Sequence, residues 1–119
     1  MSWNTYLEDN QNRFIDELSD FISIPSVSAS DEHFNDVVKA GEWVVSRLNT
    51  AGLTNARMMS TETHPVVYAD WLHAGKDKPT ILIYGHFDVQ PADPLDLWDS
   101  PPFEPIIKQG KISNEYMQV

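Results

Sequence analysis

The sequence contains no cysteine, so neither a disulfide framework nor a thiolate metal site is available, which fits a reducing cytoplasm. Basic residues are few: 8 Lys and Arg stand against 18 Asp and Glu, for a net charge of -10. That balance argues against nucleic acid or an anionic membrane as partner, because both need basic patches. No apolar run approaches the roughly 20 residues of a membrane span, and the N-terminus lacks a signal-peptide pattern. We therefore expect a cytoplasmic protein without nucleic-acid or membrane partners.

Two amphipathic helices are predicted in the first half of the chain, whose 119 residues suit one small domain with a modest core. Apolar residues at spacings of three and four define the first helix, which Ser2 or Asn4 could cap. Pro25 ends it, since the residue before a proline avoids the α region. The second helix begins near residues 30–31 and closes at Gly52, a candidate left-handed C-cap.

Three strand candidates follow the helices, which makes the chain an α/β protein. Residues 56–60 give a weak signal, and residues 65–72 are β-branched and aromatic. Residues 80–84 (TILIY) are the strongest candidate, apolar without alternation, as expected of a strand covered on both faces. Trp71 and Tyr84 are assigned to the core.

The segment after this strand is irregular. Residues 91–105 hold five prolines and several large apolar side chains, so we expect an ordered loop packed over a site. Trp98 and Phe103 could line a substrate cleft, although loop packing is the simpler interpretation. Residues 106–112 are predicted to form a hairpin around a Gln-Gly pair.

The candidate chemistry lies where the strongest strand ends, at Gly85, His86 and Asp88. In an extended segment, residues two apart project to the same side, so the imidazole and the carboxylate should lie close together. Neutral imidazole is the commonest metal ligand, and a carboxylate on its second nitrogen fixes the tautomer. Taken alone, a His-x-Asp pattern is more often a polar turn at a strand end than a functional site.

The three other histidines, His33, His64 and His73, have no partner at ligand spacing. We predict that all three lie on the surface.

Longer motifs around the His-x-Asp pattern resemble a known family. Residues 83–93 (IYGHFDVQPAD), 98–105 (WDSPPFEP) and 24–28 (IPSVS) closely resemble zinc dipeptidases of the aminoacylase, carboxypeptidase and carnosinase-type metallopeptidase family. The resemblance covers roughly residues 5–112, nearly all of the chain.

This resemblance implies a phosphorylase/hydrolase-like catalytic domain with helices on a mixed β-sheet, together with a smaller lid domain. It implies two zinc ions that activate a water for hydrolysis of a peptide or N-acyl amide bond, with a small peptide as substrate. His86 matches the first metal-ligand histidine, and Asp88 matches the catalytic-site aspartate that orients it.

Other parts of the family's site are missing from the sequence, namely a bridging aspartate, a Glu-Glu pair and later ligands. We therefore expect a partial metallopeptidase catalytic domain over residues 1–112 and a divergent tail over residues 113–119, with the lid absent. A frameshift near Ser113 would explain the tail. The isolated chain supplies at most one recognised zinc ligand and should be inactive. It could be a non-catalytic remnant or a complementing fragment that docks with a separate C-terminal part.

Overall fold

The computed structural model describes residues 2–108 as two long helices followed by a small antiparallel sheet. The elements are α1 (Trp3–Ile22), α2 (Phe34–Thr50), β1 (Thr54–Met59) and β2 (Val66–Asp70), with short 3₁₀ turns at Asp31–His33 and Leu95–Leu97. Helix α2 packs against both strands, so the predicted α/β class is confirmed. No helix within residues 2–108 is long and apolar enough to cross a membrane.

Helix α1 has the ends that its sequence predicts. The hydroxyl of Ser2 accepts a hydrogen bond from the Thr5 backbone N–H at 3.2 Å, which satisfies one of the unpaired donors of the first turn. The helix stops at Ile22, before Pro25. No residue of α1 is buried, so this helix lies on the outside of the described structure.

Two contacts hold α1 against α2. The rings of Phe21 and Trp43 stack with centroids 4.7 Å apart, and Arg47 forms an ion pair with Glu17 at 2.6 Å. An aromatic pair of this kind contributes about 0.5–1.5 kcal/mol beyond its buried area. The stacked pair and the ion pair together tie α1 to α2.

Helix α2 provides the centre of the core. Val37, Ala40 and Gly41 are its buried residues, and they face the β1–β2 sheet. A Cβ placed on Gly41 would lie 2.9 Å from the Met58 sulfur, so the absence of a side chain lets the sheet approach closely. Gly52 ends the helix region with a φ of 88°, as the predicted left-handed cap requires.

Strands β1 and β2 form a hairpin in which Arg57 faces Tyr68 and Met59 faces Val66. The register is interrupted between Thr54 and Arg57. The two weaker strand predictions are thus confirmed within a few residues at each end.

The prediction of a strand at residues 80–84 is wrong for the described structure. The segment carries no regular secondary structure. Ile81, Leu82, Ile83 and Tyr84 are 82 to 91% exposed. A strand persists only when a neighbour pairs with its backbone groups, and no strand among residues 2–108 does so. The assignment of Tyr84 and Trp71 to the core is wrong too, since Trp71 is 56% exposed.

The loop after α1 carries the rest of the core, whereas the Pro-rich loop contributes no buried residue. The loop after α1 contributes the buried residues Ile24, Ser26 and Val27, so it is packed rather than a free linker. In the Pro-rich loop, the Trp98 indole donates to the Ala92 carbonyl at 2.8 Å, which is an internal loop contact. The predicted turn at residues 109–110 and the divergent tail at residues 113–119 lie outside the described residues.

Candidate metal centre

The His86–Asp88 segment is held against the loop that follows α1. The Ser26 hydroxyl donates to the Phe87 carbonyl at 2.9 Å, and the Val89 N–H donates to the Ser26 carbonyl at 3.0 Å. Val27 and Val89 form an isolated parallel bridge. Because Ser26 is buried, these bonds fix the backbone on both sides of Asp88.

The ring of Phe87 anchors the same segment to helix α2. A Cβ on Gly41 would lie 3.5 Å from Phe87 Cζ, which places the aromatic ring directly against the helix. His86 and Asp88 flank this anchor, and both line an open cleft of about 400 Å³. Gly85 has no neighbour within 4 Å of where a Cβ would stand, so no described residue packs closely against it.

The predicted proximity of His86 and Asp88 is confirmed. The His86 Nδ1 atom lies 3.3 Å from Asp88 Oδ1 and 3.0 Å from the Asp88 backbone carbonyl oxygen. Two acceptors at Nδ1 favour the tautomer in which that nitrogen carries the proton. The Nε2 lone pair is then left to bind a metal, and the His86 side chain is 73% exposed.

Asp88 is held by a second partner, Ser28, which the sequence analysis did not single out as a site residue. The Ser28 hydroxyl donates to Asp88 Oδ2 at 2.6 Å. This hydrogen bond lowers the pKa of Asp88 below its ordinary value, and the neighbouring His86 lowers it further, against the opposing effect of partial burial. The carboxylate therefore stays ionised beside the imidazole.

His64 is half-buried and hydrogen-bonded rather than freely exposed, which corrects the prediction made for it. Its Nε2 lies 2.9 Å from the Ser28 carbonyl oxygen, its ring lies 5.9 Å from the Phe34 ring, and its Nδ1 is buried. A turn brings it there: the Thr61 hydroxyl donates to the His64 carbonyl at 2.7 Å. His64 also lines the cleft that contains His86. Sequence spacing gave no sign of this because the contact joins residues far apart in the chain.

The other two histidines lie away from this centre. His33 pairs with Asp36 of its own helical turn at 2.8 Å and is half-buried. His73 is exposed, as predicted, and meets the edge of the Trp71 ring.

The described residues provide one candidate metal ligand, His86, and the carboxylate that orients it, but they do not provide enough ligands for a complete metal centre. Within residues 2–108 there is no group of three or more His, Cys, Asp or Glu side chains that could hold a metal ion. A catalytic zinc takes about three protein ligands. Further ligands would have to join His86 before the site could carry out metal-dependent hydrolysis.

Comparison with known proteins finds similar dipeptidases. No protein-family model matches the chain. The chain is 35% identical over 108 residues to the Cys-Gly metallodipeptidase DUG1 of Candida albicans, covering 82% of the chain and 22% of that protein. It is 36% identical over 115 residues to the cysteinylglycine-S-conjugate dipeptidase of Corynebacterium striatum, covering 92% of the chain and 24% of that protein.

A solved structure has the same fold. The dipeptidase Dug1p of Saccharomyces cerevisiae superimposes with a TM-score of 0.76 and 28% identity, over 86% of this chain and 23% of that one. The chain is therefore similar to dipeptidases over most of its own length. It spans less than a quarter of the length of the relatives it matches.

Proposed function

We propose that this chain carries the first ligand position of a dizinc dipeptidase centre. His86 binds zinc through Nε2, and Asp88 holds the imidazole in the tautomer that leaves Nε2 unprotonated. The geometry that carries the proposal is the placement of Asp88 Oδ1 and the Asp88 carbonyl around His86 Nδ1. The metal would polarise the scissile carbonyl and activate a water when the centre is complete.

Dipeptides are the substrate class that the likeness to these relatives supports. The relatives' names point to cysteinylglycine and its S-conjugates as the first compounds to test. The cleft beside His86 has room for a small peptide, at about 400 Å³. N-acyl amides are the second substrate class, and a reducing cytoplasm is the compartment we propose.

The 119-residue chain alone is proposed to be inactive, as a catalytic-domain piece over residues 1–112. One histidine with its carboxylate cannot retain a catalytic zinc, because such an ion takes about three protein ligands. Complementation by a separate C-terminal part is the alternative. The exposed apolar segment at residues 80–84 favours it, since a strand from such a part could pair there.

Zinc binding to the purified chain tests the ligand assignment. We expect weak binding by calorimetry, a further loss of binding in His86→Ala, and no hydrolysis of cysteinylglycine. The control is His73→Ala, which removes an exposed histidine in a turn outside the cleft.

Two results would contradict the proposal in different ways. Zinc binding that is equally strong in His86→Ala would show that His86 is not a zinc ligand. Stoichiometric binding tighter than micromolar, with turnover, would mean that the chain completes a site by itself and is not an inactive piece.

A further inference from the structure

A chain of polar contacts extends from the candidate ligand into the fold. It starts at His86, passes to Asp88 and Ser28, and ends at His64 on the turn between β1 and β2. Each link joins atoms 2.6 to 3.3 Å apart. The segments that it connects are far apart in sequence, so only the tertiary fold assembles it.

Ser28 stands at the centre of this chain and makes two different contacts. Its hydroxyl donates a hydrogen bond to Asp88 Oδ2, and its backbone carbonyl oxygen accepts one from His64 Nε2. The hydroxyl fixes one carboxylate oxygen, which leaves the other, Oδ1, directed at His86 Nδ1. Without the hydroxyl, the carboxylate of a side chain that is 40% exposed would be free to rotate.

His64 has one tautomer compatible with these contacts. A carbonyl oxygen accepts only, so His64 Nε2 must carry the proton that it donates to Ser28. Nδ1 is then a buried acceptor with no hydrogen-bond partner among residues 2–108. Leaving such a group unpaired is destabilising, so this contact is not explained by stability alone.

We propose that Ser28 and His64 are positioning residues, which hold Asp88 in the orientation that sets the His86 tautomer. Ser28 acts directly on the carboxylate. His64 acts one step further away, by fixing the Ser28 backbone from the β1–β2 turn. The proposal rests on the proposed function only in taking His86 as a metal ligand.

The test reads the His86 ring directly. Long-range ¹H–¹⁵N spectra of the histidine-labelled chain, recorded above the imidazole titration at about pH 8, give the tautomer populations of each ring. We expect His86 to favour the Nδ1–H form in the parent chain. Ser28→Ala should move it part of the way to the Nε2–H form, and Ser28→Thr should restore it. Zn²⁺ affinity at His86 should fall about tenfold in Ser28→Ala, at the low end for partners of a metal ligand.

The His64 variants separate positioning from stability. His64→Gln can still donate an amide N–H to the Ser28 carbonyl, whereas His64→Leu cannot. We expect His64→Leu to shift the His86 tautomer while its unfolding midpoint holds or rises, because the unpaired buried Nδ1 is gone. His64→Gln should keep the parent spectrum.

A matched control is Ser19→Ala, which removes a hydroxyl that donates at 2.9 Å to a carbonyl inside α1. It should leave His86 unchanged. The proposal is overturned if Ser28→Ala and His64→Leu leave the His86 tautomer as it is, or if Ser19→Ala moves it equally. A failure of zinc to bind at His86 would instead overturn the proposed function, because the tautomer readout needs no metal.

Discussion

At the scale of single residues, the carboxylate of Asp70 is the most heavily hydrogen-bonded group in the described sheet. It accepts from the Thr54 hydroxyl at 2.7 Å, from the Asn55 amide at 2.9 Å and from the Tyr68 hydroxyl at 3.1 Å. These bonds, that from Thr54 foremost, lower the pKa of Asp70. The same carboxylate raises the pKa of Tyr68. Asp70 thus ties the start of β1 to the end of β2, where the register is interrupted.

Thr54→Val should raise the pKa of Asp70 toward its ordinary value. Because the folded pKa is lowered, the stability contributed by this carboxylate is present above its unfolded pKa and lost as pH falls through the folded pKa. The variant should therefore lose less stability on acidification than the parent chain. A ¹³C titration of the Asp70 carboxyl and melts at neutral and acid pH check this.

Thr50→Val is the control, because the Thr50 hydroxyl donates to a carbonyl within α2 and has no contact with Asp70. It should leave the Asp70 titration unchanged. An unchanged titration in Thr54→Val as well would show that the Thr54 hydroxyl is not what lowers the pKa of Asp70.

The candidate site has the same organisation at this scale, with short polar side chains fixing a functional one. Ser26 holds the backbone at Phe87, and Ser28 holds the carboxylate at Asp88. Both serines lie in the motif at residues 24–28 that carries the family resemblance, but the motif alone indicates no role for either of them. The spacing of two residues between the serines was the only sequence signal. Its role in holding residues 87 and 88 can be recognised only once the structure shows which segment faces it.

At the scale of elements, helix α2 is the element against which both the β1–β2 sheet and the His86–Asp88 segment pack. The α2 residue Val37 is 1% exposed, and the same helix meets the hairpin and Phe87. Helix α1, in contrast, buries none of its residues. The core is therefore organised around one helix, one hairpin and the loop that carries Val27.

Val37→Ala should destabilise the chain by about 2 kcal/mol, since it removes two buried methyl groups and leaves a cavity. Urea unfolding followed by circular dichroism measures this. Val66→Ala is the matched control because Val66 is 48% exposed, and its cost should be well below that of Val37→Ala. Equal losses in both variants would mean that Val37 is not at the centre of the core.

At the scale of the whole molecule, the described core is small for the chain. Only Ile24, Val27, Val37 and Ala40 form its buried apolar set among residues 2–108. The radius of gyration is 17.4 Å, whereas a compact domain of about this size would have one near 13 Å. A contiguous apolar segment at residues 80–84 remains exposed. Such a surface is typical of a face that another polypeptide covers.

Purified at high concentration, the chain should self-associate through residues 80–84, because an unpaired apolar segment of this kind can pair with a copy of itself. Leu82→Lys should reduce the association, since a charge in such a segment opposes pairing. Sedimentation velocity across a concentration series measures the effect.

Leu97→Lys provides the comparison, because Leu97 is 77% exposed and lies in the Pro-rich loop instead. It should leave association unchanged. A parent chain that stays monomeric at all concentrations would contradict this prediction.

The sequence by itself determined both helices and the left-handed Gly52, and it narrowed the cap of α1 to Ser2 or Asn4, because these depend on neighbours within one or two turns. It also determined the pairing of His86 with Asp88, which follows from their spacing and the motif around them. The family resemblance, confirmed by the comparisons, came from the same residues.

Only the tertiary structure decided what depends on distant partners. A strand needs a neighbour to pair with its backbone, and the apolar run at residues 80–84 has none among residues 2–108, despite the strongest local signal. His64 reaches the Ser28 carbonyl because the hairpin turn and the loop after α1 meet in space. Such contacts join positions tens of residues apart, and no local pattern of apolar or polar residues specifies them.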